Sequence, residues 1–382
     1  FSLMTATPHH TRTALGHIHE YISGQGFYFS KQEVANFFLA LKSKPFVILA
    51  GISGTGKSQL PRLLASALGH ADKVRLIPVR PDWTDDSDLL GYEDLNGGFQ
   101  MQAFLQVIFE AIANPSEPYF VILDEMNLAR VEYYFSTYLS LLETRHRQEE
   151  KIITEPIFSG PLRERHQALR EAHIPDNLYL IGTVNMDETT QAFSRKVLDR
   201  ANAIEMNDIQ LDWPQTNEVV APLEEVYNDL LRSRYLHARD ISEEQRAQLR
   251  PALLRLMEIN EILSGADLQF GYRVRDEIAF YLLARYEISE LLTEREALDY
   301  QILQKILVRI QGSSRRLGRC LRELIQYLGP KALRISERES ATDLIEQIGD
   351  PQKAGIPFPR SLAKLLLMYR RYEEDGFTSF WL

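Results

Sequence analysis

Cysteine is nearly missing from this sequence, with Cys320 the single one in 382 residues. That excludes a disulfide framework and any cysteine-only metal site, and it fits a reducing cytosol. Long apolar runs are missing as well. A stretch such as residues 46–52 falls far short of the roughly 20 residues that span a bilayer, so no membrane partner is expected. Residues 1–20 hold no continuous apolar core of the signal-peptide type. Positive charge is not in excess, since 43 Lys and Arg face 53 Asp and Glu for a net charge of −10. This argues against wholesale coating of nucleic acid and leaves DNA only local contacts. No internal repeat and no low-complexity tract is present. What remains is 45% hydrophobic, 10% aromatic and 25% charged, the composition of an ordinary soluble globular protein. The length suggests two domains, or one with a large appendage.

Along the chain, residues 1–30 read as a leader packed on the segment after them. Residues 32–41 place Val34, Phe37, Phe38 and Leu41 at helical spacing. Residues 46–50 form a continuous apolar run between Pro45 and Gly51, which suits a strand buried on both faces. Next come a helix over 58–68, a strand over 74–79, a loop over 80–100, a helix over 104–113 and a strand over 119–123. A helix over 131–142 and strands over 178–184 and 203–206 complete the series. Strands alternating with helices predict a parallel sheet covered on both faces. After Trp213-Pro214 the strand signals stop. Helical spacing recurs over 223–231, 247–263, 275–283, 300–310, 317–328 and 362–372. The expected division is a leader (1–30), an α/β domain (31–213) and an all-helical region (214–382).

Two motifs carry chemistry. Gly51-Ile52-Ser53-Gly54-Thr55-Gly56-Lys57-Ser58 matches G-x-x-x-x-G-K-[ST] in full, between a buried strand and a helix. The glycines let the backbone approach a phosphate chain, which amide groups and the positive end of the helix then hold. Lys57 would contact the terminal phosphates and Ser58 would ligate Mg²⁺. The second motif is the apolar strand ending in Asp124-Glu125. Asp124 is placed to hold the metal through its water shell, and Glu125 to polarise the attacking water as general base. A catalytic Glu beside a metal-binding Asp favours hydrolysis over small-molecule kinase chemistry.

The loop, Asp124-Glu125 and Ile181-Gly182-Thr183-Val184-Asn185 resemble the AAA+ ATPases. The resemblance implies a P-loop NTPase α/β sheet followed by an all-helical lid. It also implies that Asn185 positions the water, and that Arg200, in Leu198-Asp199-Arg200, reaches the nucleotide of a neighbouring subunit. An intradomain ion pair is the alternative for Arg200, with Glu205 as one partner. Within AAA+, Leu123-Asp124-Glu125-Met126-Asn127-Leu128-Ala129-Arg130 is similar to the McrB branch. So is Val79-Arg80-Pro81-Asp82-Trp83-Thr84-Asp85 with Leu90-Gly91-Tyr92. That branch supplies the motor of modification-dependent restriction systems, and MoxR-like ATPases are nearby. Asn127 then takes an auxiliary catalytic position, and Arg273, in Phe270-Gly271-Tyr272-Arg273-Val274-Arg275, that of the lid sensor.

The chain departs from the restriction GTPases at Asn185-Met186-Asp187-Glu188, so ATP is the expected nucleotide and GTP the alternative. The implied assembly is a ring of copies of this chain, a hexamer by resemblance. No nuclease constellation stands out, so a nuclease would be a separate subunit or a missing effector domain. A MoxR-like remodelling chaperone and a nucleotide-switched scaffold with little turnover are the competing functions.

Lys305, Arg309, Arg315, Arg316, Arg319 and Arg322 make a basic stretch that either faces DNA or forms a solvated helix face. His9, His10, His17 and His19 read as surface residues. Cys320 sits among arginines that would lower its pKa, with no catalytic partner beside it. Trp83 is expected to anchor the loop after the second strand. The apolar end, residues 376–382, either packs on the lid or leads into a further domain.

Overall fold

The computed structural model describes residues 8–186, 191–212, 218–224, 226–336, 338–353 and 355–381. The expected boundary at Trp213-Pro214 and the Asp187-Glu188 departure lie outside these residues, as does Leu382. The chain divides into two compact units, Phe1–Leu236 and His237–Leu382.

The first unit is built on a parallel sheet of β1 (Phe46–Gly51), β2 (Val74–Pro78), β3 (Tyr119–Asp124), β4 (Leu178–Asn185) and β5 (Asn202–Glu205). These are the five expected strands. Their order across the sheet is β2-β3-β4-β1-β5, so β1 lies between β4 and β5 rather than beside β2. All six residues of β1 are buried, as the unbroken apolar run requires of a strand covered on both faces. Leu49 pairs with Thr183 and Gly51 with Asn185, which brings the ends of β1 and β4 to one level. Leu123 pairs with Gly182 in turn. The carboxyl ends of β1, β3 and β4 therefore share one edge, the usual ligand edge of an open α/β sheet.

The leader contains a helix, α1 (Pro8–Gly24), whose Leu15, Ile18 and Ile22 are buried. Helix α2 (Lys31–Ser43) starts at a capping box in which the Ser30 and Glu33 side chains each accept the other's amide. This satisfies two donors that a helix start leaves open. Helix α3 (Gln59–Ala67) comes after the glycine-rich loop, and α4 (Ala103–Ala113) precedes β3.

Three expectations shift. The 131–142 helix is two short ones, Val131–Tyr134 and Ser136–Leu141, broken at Phe135 (φ −117°, ψ 13°). The 80–100 loop carries a helical turn, Ser87–Leu90, and a hairpin of Gly91–Glu93 with Phe99–Met101. Among the described residues of the expected 223–231 helix, Asn228–Leu230 form a 3₁₀ turn. Its Asn228 is buried, and the Asn228 Oδ1 accepts the Tyr179 hydroxyl at 2.6 Å. Tertiary bonds of this kind hold the segment to the sheet unit and override its local periodicity. The Leu223 amide likewise reaches the Ala67 carbonyl at 2.8 Å, and Lys42 Nζ donates to the Leu230 carbonyl at 2.6 Å.

The second unit is helical. Its main helices are α5 (Glu243–Ser264), α6 (Tyr272–Arg285), α7 (Glu294–Gln301), α8 (Arg315–Leu328), α9 (Ala341–Ile348) and α10 (Pro359–Asp375). The expected 300–310 helix instead runs through a π turn (Ile302–Ile306) and a 3₁₀ turn (Leu307–Arg309). The basic stretch is not one face. Lys305 is fully buried and ion-paired with Glu277 at 2.5 Å. Arg309 is buried against the carbonyls of Leu268 and Gln269. Only Arg315, Arg316 and Arg319 are exposed.

Cys320 faces inward, and burial, with Glu323 adding to it, pushes its thiol up to about 12. The arginines do not lower it. The apolar end packs into its own unit: Phe380 is buried and Trp381 Nε1 donates to the Val308 carbonyl at 3.1 Å. Among the described residues no helix is long and apolar enough to cross a membrane.

Candidate functional site

The turn between β1 and α3 has the backbone its sequence calls for. Gly54 and Gly56 take φ of +83° and +86°, conformations that side-chain-bearing residues rarely adopt. The Thr55 hydroxyl donates to the Ile52 carbonyl at 3.2 Å. Lys57 is buried, and its Nζ lies inside the turn, donating to the carbonyls of Gly51 (3.1 Å) and Ile52 (2.6 Å). Ser58 stands immediately before the first residue of α3.

The Ser58 hydroxyl donates to Asp124 Oδ1 at 3.1 Å, which joins the loop to the end of β3. Two oxygens of this kind fit a hard cation that prefers oxygen ligands and keeps several of its waters. Among the described residues no group of three or more His, Cys, Asp and Glu could hold a metal. His17 and His19 bond instead to the carbonyls of Ala221 and Phe29.

Immediately after β3, Glu125 takes φ 52° and ψ 51°. Such a left-handed conformation costs energy in a residue other than glycine and is found at functional turns. The Asn185 Nδ2 amide donates to Glu125 Oε1 at 3.3 Å. The two residues expected to handle water are therefore in contact.

Sequence reasoning missed the residue that ties these parts together. Thr183, 2% exposed, donates its hydroxyl to Asp124 Oδ1 at 2.8 Å and accepts the Glu125 amide at 2.9 Å. Its signal was a small hydroxyl residue, Thr183, within a buried and mostly apolar strand. A second omission is Asn207, whose Oδ1 accepts the Ile52 amide at 3.1 Å while its Nδ2 donates to Glu205 at 2.7 Å. It holds the start of the glycine-rich turn from just beyond the carboxyl end of β5. Trp83 does anchor its loop: its ring stands edge-on to Tyr134 at 5.3 Å, and Tyr134 donates to the Met126 carbonyl at 2.5 Å.

Three further expected residues are Asn127, Arg200 and Arg273. Asn127 is buried in the turn after Glu125, and its carbonyl accepts the Gln191 amide at 2.9 Å. Arg200 precedes β5, whose Asn202 pairs with Val47 near the start of β1. At about 3.3 Å per residue, that puts it roughly 15–20 Å along the sheet from the glycine-rich loop at the other end of β1. Its ion partner is Glu143, at 3.3 Å from Nε. Arg273 lies in the first turn of α6, in the second unit.

The sequence family described as "AAA domain (dynein-related subfamily)" matches residues 46–201. A second, described as a domain of unknown function, matches residues 219–377. The chain is 26% identical over 180 residues to the type IV methyl-directed restriction enzyme EcoKMcrB subunit of Escherichia coli (strain K12). That match covers 46% of this chain and 38% of the relative, so the chain spans well under half of the relative's length. Among solved structures, a full-length MCM homolog from Methanopyrus kandleri gives a TM-score of 0.42 at 12% identity, covering 78% of this chain and 61% of that one. NtrX from Brucella abortus gives 0.28 at 12% identity, covering 48% and 38%. The glycine-rich loop and the acidic pair lie inside the residues that the AAA-domain family matches, so residues 46–201 are an AAA domain, and the chain is similar over part of its length to the McrB subunit.

Proposed function

We propose that the chain is a Mg²⁺-dependent nucleoside triphosphatase, acting on ATP with GTP as the alternative. It works as a ring of copies, in the motor of a McrB-like restriction or defence complex. The observation that carries the hydrolytic part is the convergence of Ser58–Asp124 and Glu125–Asn185 on one sheet edge, within two hydrogen bonds of Thr183.

Amides of the turn and the Lys57 ammonium bind the phosphate chain, with Lys57 exchanging its carbonyl partners for phosphate oxygens. Ser58 and Asp124 would hold Mg²⁺, which when bound neutralises charge on the phosphates. Glu125 accepts a proton from the attacking water, and Asn185 orients both the carboxylate and that water. Residues 31–213 bind nucleotide in this scheme and residues 214–382 serve as lid and C-terminal region, with Arg273 as the lid sensor and Asn127 auxiliary to Glu125.

The position of Arg200 supports a role in trans. It stands toward the opposite end of β1 from the loop of its own chain, so a nucleotide within its reach belongs to another copy. The match to a restriction-enzyme subunit supports the defence setting, in which a nuclease subunit or further domain would cut and DNA contacts would be local.

The test is hydrolysis of ATP and GTP side by side with Mg²⁺, with oligomeric state tracked by light scattering with and without nucleotide. Glu125→Gln should bind nucleotide and lose turnover. Unchanged turnover in that variant would remove Glu125 from the chemistry. Stimulation by duplex DNA or by a nuclease subunit is the expected mark of a restriction motor.

A further inference from the structure

Glu143 lies in the 3₁₀ turn Leu142–Thr144, directly after the Ser136–Leu141 helix. One of its carboxylate oxygens, Oε1, serves two cations. Lys44 Nζ donates to it at 3.3 Å, from just ahead of β1. Arg200 Nε is ion-paired with it, also at 3.3 Å, from just ahead of β5. On its other side the Arg200 guanidinium donates from Nη1 to the Lys196 carbonyl at 2.6 Å. The side chains of Lys44 and Arg200 are 7% and 15% exposed, and that of Glu143 29%.

An arginine on a loose surface loop samples many rotamers, and ordering it on binding costs entropy. Here the backbone carbonyl and the carboxylate hold the guanidinium from two directions before any anion arrives. The carboxylate is itself fixed by a nearly buried lysine. Partly exposed ion pairs add little to stability, so the main consequence of the cluster is where the guanidinium sits.

We infer that Glu143 is a positioning residue for Arg200, holding its guanidinium ready for the triphosphate of a neighbouring copy, with Lys44 fixing Glu143. This rests on the trans role proposed for Arg200. Glu143 touches no nucleotide in this scheme and acts only through Arg200. A misplaced arginine costs rate in the adjacent subunit and leaves the subunit's own phosphate loop, Asp124 and Glu125 intact.

Mixed oligomers separate the cases. Alone, Glu143→Ala should hydrolyse ATP (with GTP in parallel) about ten- to a hundredfold slower than the parent. Its affinity for a fluorescent ATP analogue should stay within about twofold. Mixed with Glu125→Gln subunits, which supply a correctly held Arg200 but cannot turn over, it should regain activity, as Arg200→Ala should in the same mixture. Glu143→Gln keeps the acceptor oxygen without the charge, should fall between parent and alanine variant, and carries the test if Glu143→Ala does not fold. Glu143 variants that turn over like the parent, or that are slow and not rescued in verified mixed oligomers, overturn the assignment while Arg200→Ala is rescued. If Arg200→Ala is itself unimpaired or unrescued, the trans role of Arg200 fails and takes this inference with it.

Discussion

Thr183 and Asp124 are joined by a 2.8 Å hydrogen bond from the threonine hydroxyl to Oδ1, the oxygen that also accepts from Ser58. The same hydroxyl takes the amide of Glu125. One buried oxygen on β4 thus fixes both the Asp124 carboxylate and the turn that carries Glu125, the two groups proposed to hold the metal and to act as base. Thr183→Val keeps the shape and removes both bonds. Steady-state hydrolysis should fall about ten- to a hundredfold, the usual cost of losing an outer partner at a metal site. Thr183→Ser should retain most of the activity. Equal rates for the valine and serine variants would mean that the hydroxyl does not set the geometry.

Asn207 braces the start of the glycine-rich turn, since its Oδ1 takes the Ile52 amide. Asn207→Ala leaves that amide to water and loosens the start of the turn. Nucleotide affinity, read by titration with a fluorescent analogue, should weaken about three- to tenfold, a cost near that of one ordinary hydrogen bond. The turnover rate at saturation should change little, because the Glu125–Asn185 pair is untouched.

The parts legible in sequence are those whose signal is local. Residues 46–50 read as a buried strand because they are unbroken apolar residues, and the glycine spacing announced the turn after them. Helix α2 was legible in the helical spacing of Val34, Phe37, Phe38 and Leu41. What stayed hidden is tertiary. The strand order that places β4 between β3 and β1 brings Thr183 against Asp124, and nothing around residue 183 encodes that neighbour. Arg200 had an acidic candidate close in sequence, Glu205, yet its observed partner is Glu143, 57 positions away. In the second unit, charge read as surface proved misleading at Lys305, because its partner Glu277 is a full helix distant in the chain.

That buried pair gives a stability prediction. Lys305 is fully buried and Glu277 is 4% exposed, with 2.5 Å between their charged atoms. Lys305→Met removes one charge and leaves the other in an apolar interior, which costs about 3–5 kcal/mol. Urea unfolding should show the midpoint of the second unit falling sharply. Combining it with Glu277→Leu removes the stranded charge and should recover most of the loss, since an apolar replacement of a whole buried pair is often near neutral. No recovery in the double variant would show that the pair is tied into further interactions that apolar side chains cannot replace.

Cys320 sets a limit on the alkaline side. Burial raises its thiol from about 9 to about 12 in the folded chain. The folded state therefore holds the proton more tightly than the unfolded one. Below about pH 9 both states are protonated and the thiol's contribution to stability is fully present. As pH rises from there toward about 12, the unfolded thiol ionises first and the contribution is lost. Two measurements check this. At pH 8 the native protein should react with a thiol reagent far more slowly than the urea-unfolded chain, because both the thiolate fraction and access are low. Between pH 9 and 11 the parent should lose stability faster than Cys320→Ala, which has no thiol to ionise, although the alanine variant starts lower because it leaves a small cavity at a buried position. Parallel pH profiles for the two proteins would mean that the Cys320 thiol ionises alike in the folded and unfolded chain.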